Sequence, residues 1–224
     1  TTENGSVLLN GALNAGGAVS IEAAASGANL LVAVDGQLAA GGLVTIGSAA
    51  VTATSTINIG GTLAAGGGLT VNGGAGASTI INSTGTSVIT ATGAIALNGG
   101  TTGNTVINLA GTIANLSSTT TITGSTVSGI TTVNMTGTTS SVGTVQVAYS
   151  GTGIANVVLA GSITSGGNVF VTNLATSAGA LYATISGSVS SGSGLVVSAS
   201  SSADTINLTG AVTGPATFNG FGGD

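Results

Sequence analysis

Basic side chains are missing altogether: the 224-residue chain has no Lys, no Arg and no His. Nucleic-acid binding needs cations that displace counterions from phosphates, so that class of function is excluded. Electrostatic attachment to anionic lipid is excluded for the same reason. Cysteine is absent as well, which removes disulfides and thiolate metal sites. Aromatics are scarce, with three Phe, two Tyr and no Trp. A membrane β-barrel carries aromatic girdles that this chain cannot supply. No apolar run approaches the ~20 residues that a membrane-spanning helix needs. No membrane insertion is expected.

Acidic residues are nearly absent too. Glu3, Glu22, Asp35, Asp204 and Asp224 are the only carboxylates, giving a net charge of −5 and 2% charged residues. General acid–base catalysis needs positioned titratable groups, and nucleophilic Ser needs a base to activate it. A glycosidase needs two carboxylates about 5 to 10 Å apart. Glu22 and Asp35 are the nearest interior pair, but they fall on different strands of successive repeats. No catalytic residues are therefore expected, and the chain reads as a non-enzyme. The glycine runs, such as Gly66-Gly67-Gly68, lack the Lys of a phosphate loop and read as tight turns with φ > 0.

What is present is β-branched and apolar: 42% of the residues are hydrophobic, with 41 Gly and one Pro, Pro215. That composition argues against disorder and for strands. One glycine recurs along the whole length at steps of 23 to 26 residues: Gly11, Gly36, Gly61, Gly85, Gly111, Gly137, Gly161, Gly187 and Gly210. Apolar residues stand four and two places before it, as in Val7/Leu9, Val32/Val34, Ile57/Ile59 and Ile107/Leu109. Another stands two places after it, and a second pair follows at eight and ten places, as in Val19/Ile21 and Val44/Ile46. Alternation with period two means strand.

Each unit is thus expected to hold one strand of about seven residues, a glycine turn, a second short strand and a variable connector. A single unit cannot bury its apolar face; stacking units about 4.8 Å apart makes a continuous core. The fold class is all-β: a single-stranded parallel β-helix (β-solenoid) of about nine coils of about 25 residues, right-handed by expectation, with residues 1–224 forming one domain. Pattern leaves two or three faces open. The fourth and fifth units are irregular, with Ser83 in an apolar position, Ile95/Leu97 two places late and Ile122 one place late. Such shifts fit small insertions at turns.

Residues between the apolar pairs must face outward. Asn recurs at Asn58, Asn82, Asn108, Asn134 and Asn207, and hydroxyls follow the anchor Gly at Thr62, Thr86, Thr112 and Thr138. Stacked identical residues in a parallel array form amide and hydroxyl ladders. These ladders read first as solubilising surface, and second as a flat Thr/Asn face for ice or a surface glycan. Glycosylation-like triplets beginning at Asn4, Asn82, Asn115, Asn134 and Asn207 are incidental in so Ser/Thr-rich a chain.

Ser202–Leu208 and Gly220–Asp224 resemble the edges of haemolysin-type Gly/Asp nonapeptide repeats. That resemblance implies a weak calcium candidate at Asp204 and Asp224 and suggests calcium-binding repeats beyond Asp224; within this segment no strong calcium site and no cofactor are expected. The phrase from Thr56 to Val71 resembles bacterial exported β-helix repeats, as in filamentous-haemagglutinin-like adhesins, autotransporter stalks and surface-layer or RTX-type adhesin proteins. The resemblance covers nearly the whole chain and implies export, an extended shape and adhesive or structural work. The start at Thr1 has no Met and no basic leader, so a signal is expected to have been removed or the chain to be a segment of a longer one. No capping helix or charged cap flanks the repeats, so partners are expected at the ends: a second copy head-to-tail, or adjacent domains of the same chain. The location is expected to be extracellular, at the cell surface.

Overall fold

A computed structural model describes residues 4–22, 27, 29–48, 50–76, 78–173, 179–199 and 202–220. The described residues form strands joined by turns into three nine-stranded sheets, and every pairing is parallel. Each strand pairs with its counterpart one unit away. The chain therefore winds through three faces per rung, eight turns carrying it from the first rung to the ninth. Rung one is Gly5–Leu9, Ala12–Ala15 and Val19–Ile21; rung five is Asn104–Leu109, Thr112–Asn115 and Thr120–Thr123. Rung nine is Thr205–Leu208, Ala211–Thr213 and Ala216–Asn219. The β-solenoid is as the repeat predicts.

The expected seven-residue strand is in fact two strands on different sheets, broken at the anchor glycine. At that corner two successive backbone N–H groups donate to one carbonyl of the preceding rung. Asp35 and Gly36 both donate to Leu9 O, at 3.0 and 2.9 Å, and Gly60 and Gly61 both donate to Val34 O, at 2.9 Å. The same pair recurs at Thr136 and Gly137 on Leu109 O. Rung-to-rung bonding thus continues while the chain changes direction. Alternation alone cannot reveal this corner, because the inward side chains keep their sequence spacing across it.

The corner also explains the glycine. A Cβ on Gly36, Gly61, Gly137, Gly161, Gly187 or Gly210 would overlap the backbone carbonyl of the preceding rung, far inside the 3.0 Å that real Cβ atoms respect. Close approach, not left-handed backbone, is the cause, since none of these residues has positive φ. The same correction applies to Gly66-Gly67-Gly68, expected as φ > 0 turns. They lack positive φ, and a Cβ on Gly66 would fall 2.9 Å from the Gly41 carbonyl carbon. Left-handed glycines sit elsewhere, at Gly27, Gly47, Gly74, Gly129, Gly194 and Gly214.

Gly85 does not belong to the anchor column. Ser87 takes that place: Thr112 N bonds to Ser87 O as Thr62 N bonds to Gly36 O, and Gly111 is crowded by Ser87. Rung four carries two extra residues in the turn Thr84–Ser87, closed by Ser87 N and Oγ on Thr84 O. A Cβ on Gly85 would touch nothing within 4 Å. This insertion is what displaces Ile95 and Leu97. Rung five has one extra residue in its next turn, which Asn115 organises by accepting from Ser117 N and Ser118 N at 3.2 and 2.7 Å.

Inward columns merge into one core running from Leu30 to Ala199. One column is Val32, Ile57, Ile81, Ile107, Val133 and Val157, each at most 1% exposed. Burying such a side chain stabilises by about 1.5–3 kcal/mol. At the corner between the third sheet and the first, another inward column turns polar through Ser55, Thr79, Thr105 and Thr131.

Candidate functional site

The two expected outward ladders lie on different sheets. Asn58, Asn82, Asn108 and Asn134 share one column of the first sheet. Their amides form a continuous chain: Asn82 Nδ2 donates to Asn58 Oδ1 at 2.9 Å, Asn108 Nδ2 to Asn82 Oδ1 at 2.9 Å, and Asn134 Nδ2 to Asn108 Oδ1 at 2.8 Å. Asn207 occupies the same column but is separated from the run by Val158 and Thr184. Each of the four amides in the continuous run is half-buried, whereas Asn207 is exposed. Rungs in register place identical amides at hydrogen-bond range, so the parallel fold itself builds the ladder. A second amide pair, Asn98 Nδ2 on Asn72 Oδ1 at 3.0 Å, sits on the third sheet. The pattern next to the anchor glycine does not reveal this pair; the shared offset of Asn72 and Asn98 within their strands is its signal in the sequence.

Thr62, Thr112 and Thr138 share a column of the second sheet with Ser162 and Ser188. Thr86 is not in it; Val88 stands between Thr62 and Thr112, exposed at 37%. Thr86 lies in the rung-four insertion, with its hydroxyl 3.2 Å from that of Thr84. Within the column Ser188 Oγ donates to Ser162 Oγ at 3.2 Å. Because a corner separates the columns, Asn and Thr do not form one flat face.

A polar column missed in the sequence runs up the inside of the next corner: Asn115, Ser141, Ser165 and Ser191, all at most 8% exposed. Their side chains bind backbone carbonyls at the turn. Ser165 Oγ reaches Gly143 O at 2.8 Å and Asn168 O at 3.0 Å, and Ser191 Oγ reaches Gly167 O at 2.6 Å and Gly194 O at 2.9 Å. Asn115 Nδ2 donates to Gly93 O and Thr119 O at 3.0 and 2.7 Å. Its amide is therefore committed to structure, not offered as a glycosylation acceptor.

The described carboxylates are dispersed. Glu22 accepts from Ser20 Oγ at 2.5 Å on the exposed third sheet. Asp35 sits over Gly60, where a Cβ would come within 2.6 Å of its Oδ1. Asp204 Oδ1 accepts from Leu181 N at 2.6 Å, tying the start of rung nine to rung eight. Asp224 lies outside the described residues. Among the described residues no three His, Cys, Asp or Glu side chains gather where a metal could bind. Tyr149 is 2% exposed and its hydroxyl donates to Gly179 O at 3.4 Å. Burial, and then the nearby Asp204 charge, push its pKa above the usual tyrosine range, against a smaller opposing effect of its hydrogen bond with Asn173.

A shallow groove of about 580 Å³ follows the small-residue corner past Ala15, Ala40, Ala65 and Ala91. It is lined by Ala, Gly, Asn, Thr and Leu and holds no ionisable group.

What the arrangement offers is repetition and open edges. In the interior the inward columns are sealed, but in rung one Val7 and Leu13 are each 38% exposed, and in rung nine Leu208 and Phe218 are 40% and 42% exposed. Among the described residues nothing pairs with the outer edges of these rungs. Comparison with known proteins finds no matching family model, no matching curated protein and no matching solved structure.

Proposed function

We propose that the chain is an extracellular structural protein that self-associates end to end, its solenoids stacking into a filament, sheath or surface layer. The observation that carries this reading is the pair of uncovered rungs. Each presents unpaired strand edges together with core-facing residues half in water, and exposed edges of that kind template pairing with another strand. Nearly absent charge removes the like-charge repulsion that keeps most surfaces apart. The lack of Lys and Arg leaves no trypsin-type cleavage site, and few groups titrate, which suits an exterior location. The repeat style, like that of exported bacterial surface proteins, agrees with this. The chain acts without a cofactor and without catalysis.

A second reading, an adhesin stalk or binding module, draws on the four-amide Asn ladder, a regular polar strip suited to a glycan surface. Negative-stain microscopy combined with sedimentation over a range of concentrations separates the two. Fibres that lengthen with concentration support end-to-end assembly. Isolated rods at every concentration, retained on a polysaccharide matrix, favour the binding module and refute the first reading.

A further inference from the structure

We infer that the leading edge of rung one is shaped to seat rung nine of a second copy, with Gly11 stacked on the Gly210 carbonyl. This deepens the end-to-end reading and rests on it. The starting observation is a pair of glycines that no described residue explains. Gly36 and Gly41 are glycine because a Cβ would overlap the backbone of the rung before them. Their counterparts in rung one, Gly11 and Gly16, meet nothing within 4 Å of where a Cβ would stand. Neither has positive φ, so backbone conformation does not demand glycine either. A free glycine raises the entropy lost on folding, and alanine would serve better at such a site. The reason returns if a parallel rung lies against Gly11 with its carbonyl aimed as Gly11 O is aimed at Gly36.

Rung nine supplies that rung. Gly210 is the last member of the anchor column, fitted over Gly187 as Gly36 is over Gly11. Extending the observed register by one step puts Ile206 against Val7, Leu208 against Leu9, Val212 against Leu13 and Phe218 against Ile21. At these four positions an apolar side chain on one edge then meets an apolar side chain on the other, and the half-exposed columns close. Outward, Asn207 falls beside Leu8, which is 62% exposed and in the same column. The junction has one polarity, rung nine before rung one, so subunits add head to tail without closing a ring.

The test uses Gly11→Ala with Gly85→Ala as control, since Gly85 also has open space around it. Both variants are expected to keep the wild-type circular dichroism and melting temperature as monomers. Gly11→Ala is expected to reduce sedimentable polymer about tenfold or more at a fixed concentration, because overlap of that kind is expelled from packed interiors; Gly85→Ala is expected to leave it unchanged. In parallel, the double variant Leu8→Cys/Asn207→Cys is oxidised. The native chain has no cysteine, and neighbouring rungs bring Cα atoms within about 4.4–6.8 Å, the range a disulfide spans. A non-reducing gel is expected to show a ladder of dimers, trimers and higher species. If wild type polymerises but Gly11→Ala polymerises equally, or no ladder forms, this junction is overturned while end-to-end assembly stands. If wild type stays monomeric throughout, both fail, and Gly11 answers to a rung that is not a second copy.

Discussion

Removing Asn108 from the amide ladder is expected to destabilise the solenoid about twice as much as removing Asn58. Asn108 makes two ladder bonds, donating to Asn82 at 2.9 Å and accepting from Asn134 at 2.8 Å. Asn58 is the first member and makes one, accepting from Asn82. A net hydrogen bond contributes about 0.5–1.5 kcal/mol. Asn108→Ala is therefore expected to lose about 1–3 kcal/mol and Asn58→Ala about half of that. The ladder is half-buried, so the amides left behind can still reach water, which keeps the loss below the penalty for a sealed polar group. Urea denaturation of Asn82→Ala, Asn108→Ala and the double variant isolates the shared bond, with an expected coupling of about 1 kcal/mol. Equal losses at Asn58 and Asn108, or a coupling of zero, would mean that the amides merely cover the sheet.

Three other outcomes follow from buried geometry. Thr79→Val is expected to raise stability by about 1 kcal/mol, because its buried Oγ1 has no hydrogen-bond partner in the protein; Thr131→Val, in the same column, is expected to lower it by a similar amount, because Thr131 Oγ1 accepts from Ser125 N at 2.8 Å. Calorimetry of the two variants checks the opposite signs. Gly137→Ala is expected to lose about 3 kcal/mol or more, since the new methyl would overlap the Gly111 carbonyl; a variant as stable as wild type in urea would contradict the close-approach argument. Tyr149 binds its proton more tightly when folded, so its contribution is intact below the unfolded tyrosine pKa of about 10 and is lost as pH rises above it. Tyr149→Phe is expected to flatten that alkaline loss in melts recorded from neutral pH upward, and an unchanged alkaline slope would refute the assignment.

Rung length, the inward columns and the parallel stack were legible in the sequence because alternation and a 25-residue step both repeat many times. The corner at Asp35-Gly36 was not, because an inward residue two places before and another two places after a glycine look the same on one strand or on two. That blind spot merged the Asn and Thr columns into one imagined face. Gly85 mimics the anchor for a related reason: in a glycine-rich chain a glycine two residues early looks the same, and only rung-to-rung bonding identifies Ser87 as the true member. The inner column of Asn115, Ser141, Ser165 and Ser191 escaped because its role is to satisfy turn carbonyls, which no pattern of polarity displays. The open surroundings of Gly11, against the crowding at Gly36, are likewise invisible in a pattern that repeats the same glycine in every rung.

Cryo-electron microscopy of assemblies grown from the purified chain shows whether the solenoids stack end to end. Fibres of continuous parallel rungs about 4.8 Å apart, repeating every nine rungs at about 43 Å, with three sheets in cross-section, are expected. Fibres built from antiparallel hairpins, or an axial repeat unrelated to nine rungs, would contradict that stacking.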